Sequence, residues 1–489
     1  MAADEARQQL DLAALASLPA SVARPAFNPA ATRVGIVHLG PGAFHRAHQA
    51  VYVDDLLDAH PDWAICGVSL HSTEVRDVLR PQDNLYTLAL LGGESRLRVI
   101  GALRELRSAR EEPAAVLARL ADPAVRLVTL TITEKGYCLA GEDLDFTHPE
   151  IAHDVALPQA PHSAVGHLVA GLGARRARGI APYTVLSCDN LAGNGHRLRR
   201  ATLQYADRLD PALARWIEAE VAFPCSMVDS ITPATDEPLR QRVAAELGCR
   251  DAWPIQRETY TQWVIEDRFC NARPPFELAG AQLSHDIAGH DRAKLRLLNG
   301  AHSTLAYLGS LLGIDTVGNA MRTPTLVRFV ERLMRESIAP VVALPAGLDP
   351  GPYIDAILAR FRNPAIQHKL SQIAWDGSQK LPVRLLGTIA EALAQGRDIA
   401  PLCLAIAAWM QFVRRQARAG IALVDPLNER LTAIGRACTG DARADVAAFL
   451  GLETVFGTLA SEKGFGQPLR KAYALLADGS PAAVEQALA

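Results

Sequence analysis

The segment Arg33-Val-Gly-Ile-Val-His-Leu-Gly40-Pro-Gly42-Ala-Phe-His45 decides the fold of this chain. Its first half is a short apolar run, typical of a buried parallel strand, and the glycines that follow predict a tight turn into a helix. Glycines at such a turn let the backbone approach a pyrophosphate, which then lies at the helix N-terminus. We therefore predict dinucleotide contacts at Gly40, Gly42, Ala43 and Phe44.

The glycine motif is incomplete. Its third glycine is absent, since His45 holds that place, and a bare G-x-G also occurs in ordinary strand–helix turns. The acidic residue that usually holds the ribose is also unclear. After the second predicted strand, Glu74 fits that role poorly and Arg76 could instead meet a 2′-phosphate. We expect NAD as the cofactor and leave NADP open.

Strand-like and helix-like runs alternate in the first part of the chain, which predicts an α/β fold with a mainly parallel sheet and added antiparallel strands. LYTLALLG and SRLRVIGAL are predicted to pair antiparallel, with their turn near Gly92, Gly93 and Glu94. The other predicted strands include WAICGVSL, VRLVTLTIT, YTVLSCDN, AFPCSMVDSIT, TQWVIEDRF and FELAGAQL. Helical runs dominate after about residue 285. We predict an N-terminal arm over 1–30, an α/β domain over 31–285 and an all-α domain over 286–489.

The composition is that of a soluble globular protein. The 489 residues are 49% hydrophobic and 21% charged, with a formal net charge of −3. This balance provides no general attraction for nucleic acid or for an anionic membrane. No apolar run reaches the roughly 18 residues that span a bilayer, and the acidic N-terminus is unlike a secretion signal. We expect a cytoplasmic protein with a small-molecule substrate, either a monomer or a weak homo-oligomer.

The eight cysteines are scattered and form no C-x-x-C pair. Buried, reduced thiols are their expected state, and a structural zinc site is not expected. His45 and His48 are spaced so that they could share one helix face, but the sequence shows no third ligand beside them. We therefore predict no bound metal.

The run Lys294-Leu-Arg-Leu-Leu-Asn299-Gly-Ala-His302 places an amine, an amide and an imidazole on one predicted helix. At about 100° per residue, Lys294, His302 and Asn299 fall near 0°, 80° and 140°, so all three could face one cleft. Neighbouring leucines would keep that cleft dry. A solvent-reaching lysine, a capping asparagine and a hydrogen-bonded histidine explain the run equally well when it is taken alone.

Polar residues follow three predicted strands, where open α/β sheets bind ligands. Asn190 could donate a hydrogen bond to a developing alkoxide, although a helix N-cap is the commoner use of Asp189 or Asn190. Glu134 could relay protons or could lie in a solvated turn, and Asp229 occupies a third strand end. In the helical part, the segment DGSQKLPVR, which contains Lys380 and Arg384, could hold a polyhydroxy or carboxylate substrate.

Taken together, these segments resemble the mannitol dehydrogenase family, the polyol-specific long-chain dehydrogenases and reductases. The segments that carry the resemblance occur in the family's order: GPGAFHRAHQ, TITEKGY, SCDNLAGNG, FPCSMVDSITP, QWVIEDRF, KLRLLNGAHS and DGSQKLP. The resemblance implies a zinc-independent, nicotinamide-dependent enzyme with a Rossmann-type N-terminal domain and an all-α C-terminal domain. Such an enzyme interconverts a secondary alcohol and a ketone on a sugar chain.

The resemblance also implies roles for single residues. Lys294 matches the general base, and His302 matches a residue that contacts substrate and orients that lysine. Asn190 and Asn299 match the pair that hydrogen-bonds the alkoxide, and Asn190 also lies beside the cofactor. The remaining matches, a substrate-binding lysine and two carboxylates near the cofactor and the proton path, are Lys380, Glu134 and Asp229.

Two positions depart from the mannitol 2-dehydrogenase pattern. Gln372 replaces a substrate-binding arginine, and Arg384 follows the shared lysine. Both features are more similar to the fructuronate reductase (D-mannonate oxidoreductase) branch, and we hypothesise that Arg384 holds a substrate carboxylate. The alternatives are a mannitol 2-dehydrogenase or other polyol dehydrogenase, a β-hydroxyacid dehydrogenase of the 6-phosphogluconate type, and a non-catalytic nicotinamide sensor.

Overall fold

The computed structural model of this chain describes residues 8–92, 96–478 and 480–488. The chain divides into two compact units, Met1–Ala288 and Gly289–Ala489. In the N-terminal unit, the described part of the predicted arm packs against the unit's surface, with Leu10, Leu18 and Val22 buried in a small apolar cluster. Residues 1–7 of that arm lie outside the described residues.

The N-terminal unit contains all the strands of the described residues. Five of them form a parallel sheet in the order β5-β2-β1-β6-β9, so the chain reverses its direction of sheet growth between β1 and β6. Every residue of β1 and β2 is buried, as expected for strands covered on both faces. The strands are β1 Val34–Leu39, β2 Ala64–Ser69, β3 Tyr86–Leu91, β4 Arg96–Ile100, β5 Leu103–Ser108, β6 Leu127–Leu130, β7 Leu139–Ala140, β8 Asp143–Leu144, β9 Thr184–Ser187, β10 Ser226–Asp229, β11 Ile255–Glu258, β12 Gln262–Glu266 and β13 Gln282–Ser284.

Smaller sheets supply the antiparallel pieces. β3 and β4 pair antiparallel as predicted, with β11 parallel to β3, and β12 pairs antiparallel with β10. The predicted turn at Gly93 and Glu94 lies outside the described residues. The strand predicted for FELAGAQL is wrong over its first half, because Phe276–Ala279 forms a 3-10 turn that ends at Gly280 with φ of +91°.

Helices connect the strands of the parallel sheet, whose side chains divide between two apolar clusters. The segment after β1 forms two short helices, with a break at His48, where one longer helix was predicted. The helices of this unit are α1 Ala43–Ala47, α2 Gln49–Asp54, α3 Glu74–Leu79, α4 Pro113–Leu120, α5 Pro149–Ala156, α6 Ala164–Ala177, α7 Asn194–Leu209, α8 Pro211–Glu220 and α9 Glu237–Leu247.

The C-terminal unit is helical, and one apolar cluster forms its core. The helices that build it, beginning at the junction of the two units, are α10 Ile287–Ala293, α11 Gly300–Leu311, α12 Val317–Ala320, α13 Pro324–Arg332, α14 Pro350–Phe361, α15 Leu370–Ile373, α16 Gly377–Leu381, α17 Gly387–Ala394, α18 Ala400–Arg418, α19 Asn428–Ala437, α20 Ala442–Leu450, α21 Glu453–Phe456, α22 Lys463–Leu475 and α23 Pro481–Leu488. Within the described ranges, no single helix is long and apolar enough to cross a bilayer. Within the same ranges, one pair of helices, Ala442–Leu450 and Glu453–Ser461, is long and apolar enough when taken together, but the two are bent by 77°.

Three segments of this unit are π-helical: Lys294–Asn299, Leu333–Ile338 and Pro382–Leu386. The first corrects the sequence analysis, which placed Lys294, Asn299 and His302 on a regular α-helix. A π-helix bonds each residue to one further along the chain, so its turn is wider and the rotation per residue is smaller. The angles expected from α-helical geometry therefore do not hold across Lys294–Asn299.

Candidate functional site

The turn after β1 lies at the point where the parallel sheet reverses its direction of growth. Gly40 has φ of +87°, and a Cβ there would come within 2.3 Å of the carbonyl oxygen of Thr131, so only glycine fits between the ends of β1 and β6. Gly42 is exposed, and a Cβ on it would find only the Gly40 carbonyl within 4 Å, at 3.9 Å. The backbone at Gly42 is therefore open to a ligand, which fits the close approach of a dinucleotide pyrophosphate.

A stacked pair of imidazoles lies beside this turn. The rings of His38 and His45 are 3.4 Å apart, and His38 Nδ1 lies 2.7 Å from Thr129 Oγ1. Burial lowers the pKa of His38 to about 3 and lowers that of His45 well below its ordinary value. The residue in place of the third glycine is thus a neutral packing residue. His48 donates from Nε2 to the carbonyl oxygen of Gln262 at 3.0 Å.

Arg76, considered above as a partner for a 2′-phosphate, is already bound to carboxylates. Its guanidinium lies 2.8 Å from Asp77, 2.6 Å from Glu111 and 3.3 Å from Glu112, and its side chain is largely buried. A cation held by three carboxylates offers little to an added phosphate. The structure therefore gives no support for the NADP alternative at this residue.

The carboxyl ends of β6 and β9 are tied together by Asp189. Its carboxylate accepts hydrogen bonds from the Thr133 N–H at 2.7 Å and from the Tyr137 hydroxyl at 2.9 Å. Burial raises the pKa of Asp189, and these hydrogen bonds oppose the rise. The N-cap of α7 is Gly193, without a side-chain cap, so Asp189 braces two strand ends instead of capping that helix.

The three residues predicted at strand ends have different surroundings. Asn190 follows Asp189 and is exposed at the end of β9, and Glu134 is exposed on the 3-10 turn Glu134–Tyr137 that Asp189 braces. Asp229 is the last residue of β10 and is buried. The Asn194 side chain, which the sequence analysis did not single out, donates to the carbonyl oxygens of Asp189 and Ser226 and so joins the ends of β9 and β10.

In the C-terminal unit, Lys294 begins the first π-helical segment, and only 6% of it is exposed. Asp291, on the preceding helix, interacts electrostatically with it. Burial raises the pKa of Asp291 from 3.8 to about 6, and the charge of Lys294 opposes that rise. The sequence analysis missed Asp291, although its position one helical turn before Lys294 was a usable signal. Asn299 ends the same π-helical segment and is half-buried.

His302 is buried between aromatic rings. It stacks on Phe361 at 4.4 Å and meets His368 edge-on at 5.4 Å. Burial, followed by the charges of His368, Arg360 and Arg384, lowers the pKa of His302 well below its ordinary value, so the imidazole is neutral at physiological pH. Sequence reasoning missed Arg360 and His368, because nothing local in the chain connects them to His302.

Arg384 lies on the third π-helical segment and donates from Nη1 to Ser303 Oγ at 3.1 Å. Burial lowers its pKa, and the opposing contribution comes from the Tyr307 hydroxyl. Within the described part of the chain, no carboxylate forms an ion pair with Arg384. Lys380 has 26% of its side chain exposed and lies 3.9 Å from Asp376, and Gln372 is exposed on α15.

The placement of the predicted residues follows the two units. The N-terminal unit contains the glycine turn, Glu134, Asn190 and Asp229 at strand ends. In the C-terminal unit, the charge of Arg384 acts on both His302 and Lys380. Lys294 and Asn299 lie at the two ends of one π-helical segment of the same unit. Among the described residues, the Gln372 side chain forms no hydrogen bond with this group, so its assigned role depends on the resemblance alone.

Two family models match the chain in succession. The mannitol dehydrogenase Rossmann domain matches residues 34–278, and the mannitol dehydrogenase C-terminal domain matches residues 286–477. This chain belongs to the mannitol dehydrogenase family. The predicted family and fold class are thereby confirmed, and the family identifies the protein as an oxidoreductase.

Individual members of the family show how far the similarity extends. D-mannonate oxidoreductase of Escherichia coli K12 is 42% identical over 445 residues, which is 89% of this chain and 91% of that protein. A solved D-sorbitol dehydrogenase in substrate-free form has a TM-score of 0.92 at 32% identity, over 99% of this chain and 100% of its own. Pseudomonas fluorescens mannitol 2-dehydrogenase, solved with NAD and D-mannitol, has a TM-score of 0.81 at 36% identity over 98% and 99% of the two chains.

Proposed function

We propose that this protein is an NAD-dependent dehydrogenase that interconverts D-mannonate and D-fructuronate. The observation that carries the choice of substrate is Arg384, a half-buried guanidinium that donates to the neutral hydroxyl of Ser303 and forms no ion pair within the described part of the chain. A cation that is partly removed from water gains from pairing with a carboxylate, so this site favours a ligand that brings its own. Mannonate carries one and mannitol does not. The similarity to a D-mannonate oxidoreductase supports the same choice.

The glycine turn at Gly40 and Gly42 is assigned to the cofactor, with Ala43 and Phe44 beginning the helix beyond it. NAD, when bound, accepts the hydride from the carbinol carbon of the substrate. The carboxylates around Arg76 support NAD over NADP, since they already pair with this arginine and would repel the additional 2′-phosphate of NADP.

Transfer of the substrate hydroxyl proton is assigned to Lys294. Its burial keeps bulk water away from the amine, and a base in such a place can take the hydroxyl proton during oxidation and return it during reduction. Asn190 and Asn299 are assigned to the alkoxide, where an amide N–H would stabilise the developing negative charge. His302, held neutral by burial, adds no positive charge and can hydrogen-bond a substrate hydroxyl. These roles are carried over from the family resemblance.

Mannitol oxidation is the second candidate. The specific observation in its favour is the similarity to a mannitol 2-dehydrogenase over almost the whole of both chains. Gln372 disfavours it, because an amide stands where that branch has a substrate-binding arginine.

A substrate panel distinguishes these candidates. Reduced nicotinamide absorbance is followed with mannonate, altronate, mannitol and arabinitol, each with NAD and with NADP. We expect the highest kcat/KM with mannonate and NAD. Higher values with mannitol would transfer the assignment to the second candidate, and absence of turnover with both mannonate and mannitol would contradict both candidates.

Arg384→Ala tests the carboxylate contact. Loss of a charge-assisted hydrogen bond worth about 1.5–3 kcal/mol should raise the KM for mannonate roughly 10- to 100-fold, with a smaller effect on any activity with mannitol. The matched control is Arg397→Ala, which removes an exposed arginine of the same unit and should change neither constant. An unchanged KM for mannonate in Arg384→Ala would show that this arginine does not bind the substrate.

A further inference from the structure

A short hairpin brings distant donor atoms together in the N-terminal unit. β7 and β8 pair antiparallel, and beyond them the Asp145 N–H donates to the Cys138 carbonyl oxygen at 2.9 Å. The closure of the hairpin places Cys138 beside the beginning of α5. As a result Cys138, His148 and Glu150 each offer a ligand atom within 4.8 Å of the other two.

The three donors differ in their exposure and in their hydrogen bonds. Cys138 is a buried free thiol, 3% exposed, whereas His148 and Glu150 are half-buried and reachable from solvent. His148 accepts the Glu150 N–H at Nδ1, over 3.4 Å, so Nε2 carries the ring proton in the metal-free chain. Binding a metal through Nε2 moves that proton to Nδ1 and gives up this long hydrogen bond. One oxygen of Glu150 lies 3.3 Å from His71 Nδ1 and 3.6 Å from Arg110. Such contacts orient a ligating carboxylate and leave its second oxygen available.

A neighbouring group, His153, Asp154 and His162, is not suited to the same purpose. Asp154 already accepts hydrogen bonds from the His162 N–H and from the N–H and hydroxyl of Ser163. The two imidazoles stack with their centroids 3.6 Å apart and their planes at 8°. Nitrogen lone pairs lie in the ring plane, so parallel stacked rings cannot direct them to one ion.

The charges around Cys138 favour a cation. Burial, followed by the carboxylates of Glu150, Asp154 and Asp145, raises the pKa of the Cys138 thiol to about 12, so the thiol keeps its proton until a cation replaces it. A thiolate and one carboxylate would neutralise a divalent ion, so the positive end of the α5 dipole would not oppose the completed site. Thiolate, imidazole and carboxylate are together the donors that Zn²⁺ accepts, at about 2.0–2.3 Å each.

Contrary to the expectation from the cysteine spacing that no metal is bound, we propose that Cys138, His148 and Glu150 bind one Zn²⁺ ion, with water as the fourth ligand. On binding, the thiol proton passes to solvent as the zinc–sulfur bond forms, and no group is oxidised or reduced. The ion would join the hairpin to the N-terminus of α5 and stabilise that part of the unit. This site is separate from the residues assigned to hydride and proton transfer, so it does not depend on the proposed function.

Cobalt substitution of the full chain tests the proposal. Metal-free protein is titrated with Co²⁺, and the near-ultraviolet thiolate-to-cobalt band and the bound metal per chain are measured. We expect one tightly bound Co²⁺ with that band, its displacement by Zn²⁺, and a higher melting temperature with Zn²⁺ than without. Absence of the band, or a band that Zn²⁺ does not displace, would overturn the proposal.

Two ligand variants and one control test the site. Cys138→Ser and His148→Asn should both lose the band and the stabilisation by Zn²⁺; asparagine is a preferred N-cap, so His148→Asn keeps the start of α5 intact. The control is Cys270→Ser, which removes a half-buried thiol of the same unit and should leave both readouts unchanged. A band that survives in both ligand variants, or disappears in Cys270→Ser, would place the metal elsewhere. Circular dichroism of the metal-free proteins confirms their folding.

Discussion

Lys294 and Asp291 interact electrostatically at the start of the first π-helical segment. The amine is buried, and its charge lowers the pKa of a carboxyl group that burial raises to about 6. An acid and an amine that influence each other in a dry place are typical of groups that exchange protons in catalysis. Two residue-scale predictions follow from this pair.

Lys294→Ala should lower kcat by about 10²–10⁴-fold, because it removes the group proposed to accept the substrate proton. The affinity for NAD, measured by fluorescence titration, should change little. Lys463→Ala, at the exposed start of α22, provides the matched lysine deletion and should retain normal turnover. Near-normal turnover of Lys294→Ala would remove this amine from the mechanism.

Asp291 should make stability depend on pH. Its native pKa of about 6 exceeds its ordinary value of 3.8, so the folded protein binds more protons between these values and the free energy of unfolding falls as pH rises through that window. Asp291→Asn cannot ionise. Its stability relative to the wild type should therefore increase from about pH 4 to about pH 7, by an amount on the order of 1–2 kcal/mol after allowance for partial solvent exposure.

Denaturant unfolding at the two pH values measures this difference. Asp207→Asn, on the exposed face of α7, is the control and should differ from the wild type by the same amount at both. A constant difference for Asp291→Asn would show that this carboxyl group does not titrate in that window.

At the scale of elements, the two π-helical segments that carry Lys294 and Arg384 pack closely where Gly300 follows the first. A Cβ on Gly300 would lie 3.0 Å from the Arg384 carbonyl oxygen, a backbone atom that cannot rotate away. Arg296, on the first segment, also donates to Thr388 Oγ1 at 2.9 Å, on the helix that follows the segment of Arg384. The spacing of the proposed base and the proposed carboxylate contact thus depends on one small residue.

Gly300→Ala should lower kcat/KM about tenfold or more, because a displacement well below 1 Å between catalytic groups is already costly. Its melting temperature reports any loss of stability separately. Gly318→Ala is the control, since a Cβ there meets nothing within 4 Å and the residue lies in α12. Equal activity of Gly300→Ala and Gly318→Ala would show that this packing does not set the site's geometry.

Elements were predictable to different degrees. The apolar run before Gly40 identified β1, and the glycine spacing identified the turn, because both requirements are local. The π-helical turn at Lys294–Asn299 was not predictable, since shifting a hydrogen bond by one residue leaves the apolar periodicity almost unchanged. Gly280 shows the opposite error: the apolar residues before it suggested a strand, but they form a 3-10 turn.

At the scale of the whole molecule, each unit has its own apolar core, and the core of the helical unit is a single cluster. The change from alternating elements to helices was visible in the sequence. Contacts between distant residues, such as Arg76 with Glu111 or His302 with Phe361, were not visible, because a single sequence does not show which distant residues pair in the fold.

Two leucines of α22 test the division into core and surface. Leu469 is fully buried and Leu475 is 57% exposed. Leu469→Ala should lower the free energy of unfolding by about 2–5 kcal/mol, and Leu475→Ala should change it by less than about 0.5 kcal/mol. NAD affinity should be unchanged in both, because the glycine turn belongs to the other unit. Similar losses of stability in the two variants would contradict this assignment of the core.

The stacked imidazoles of His38 and His45 have a consequence for the neighbouring turn. Because neither ring takes up a proton near neutrality, the charge of the two imidazoles beside the turn does not change there. The phosphates of the proposed dinucleotide would then be held by fixed backbone dipoles, which do not titrate. Acidification of the surroundings would thus alter proton transfer at the substrate and leave this anchoring point untouched.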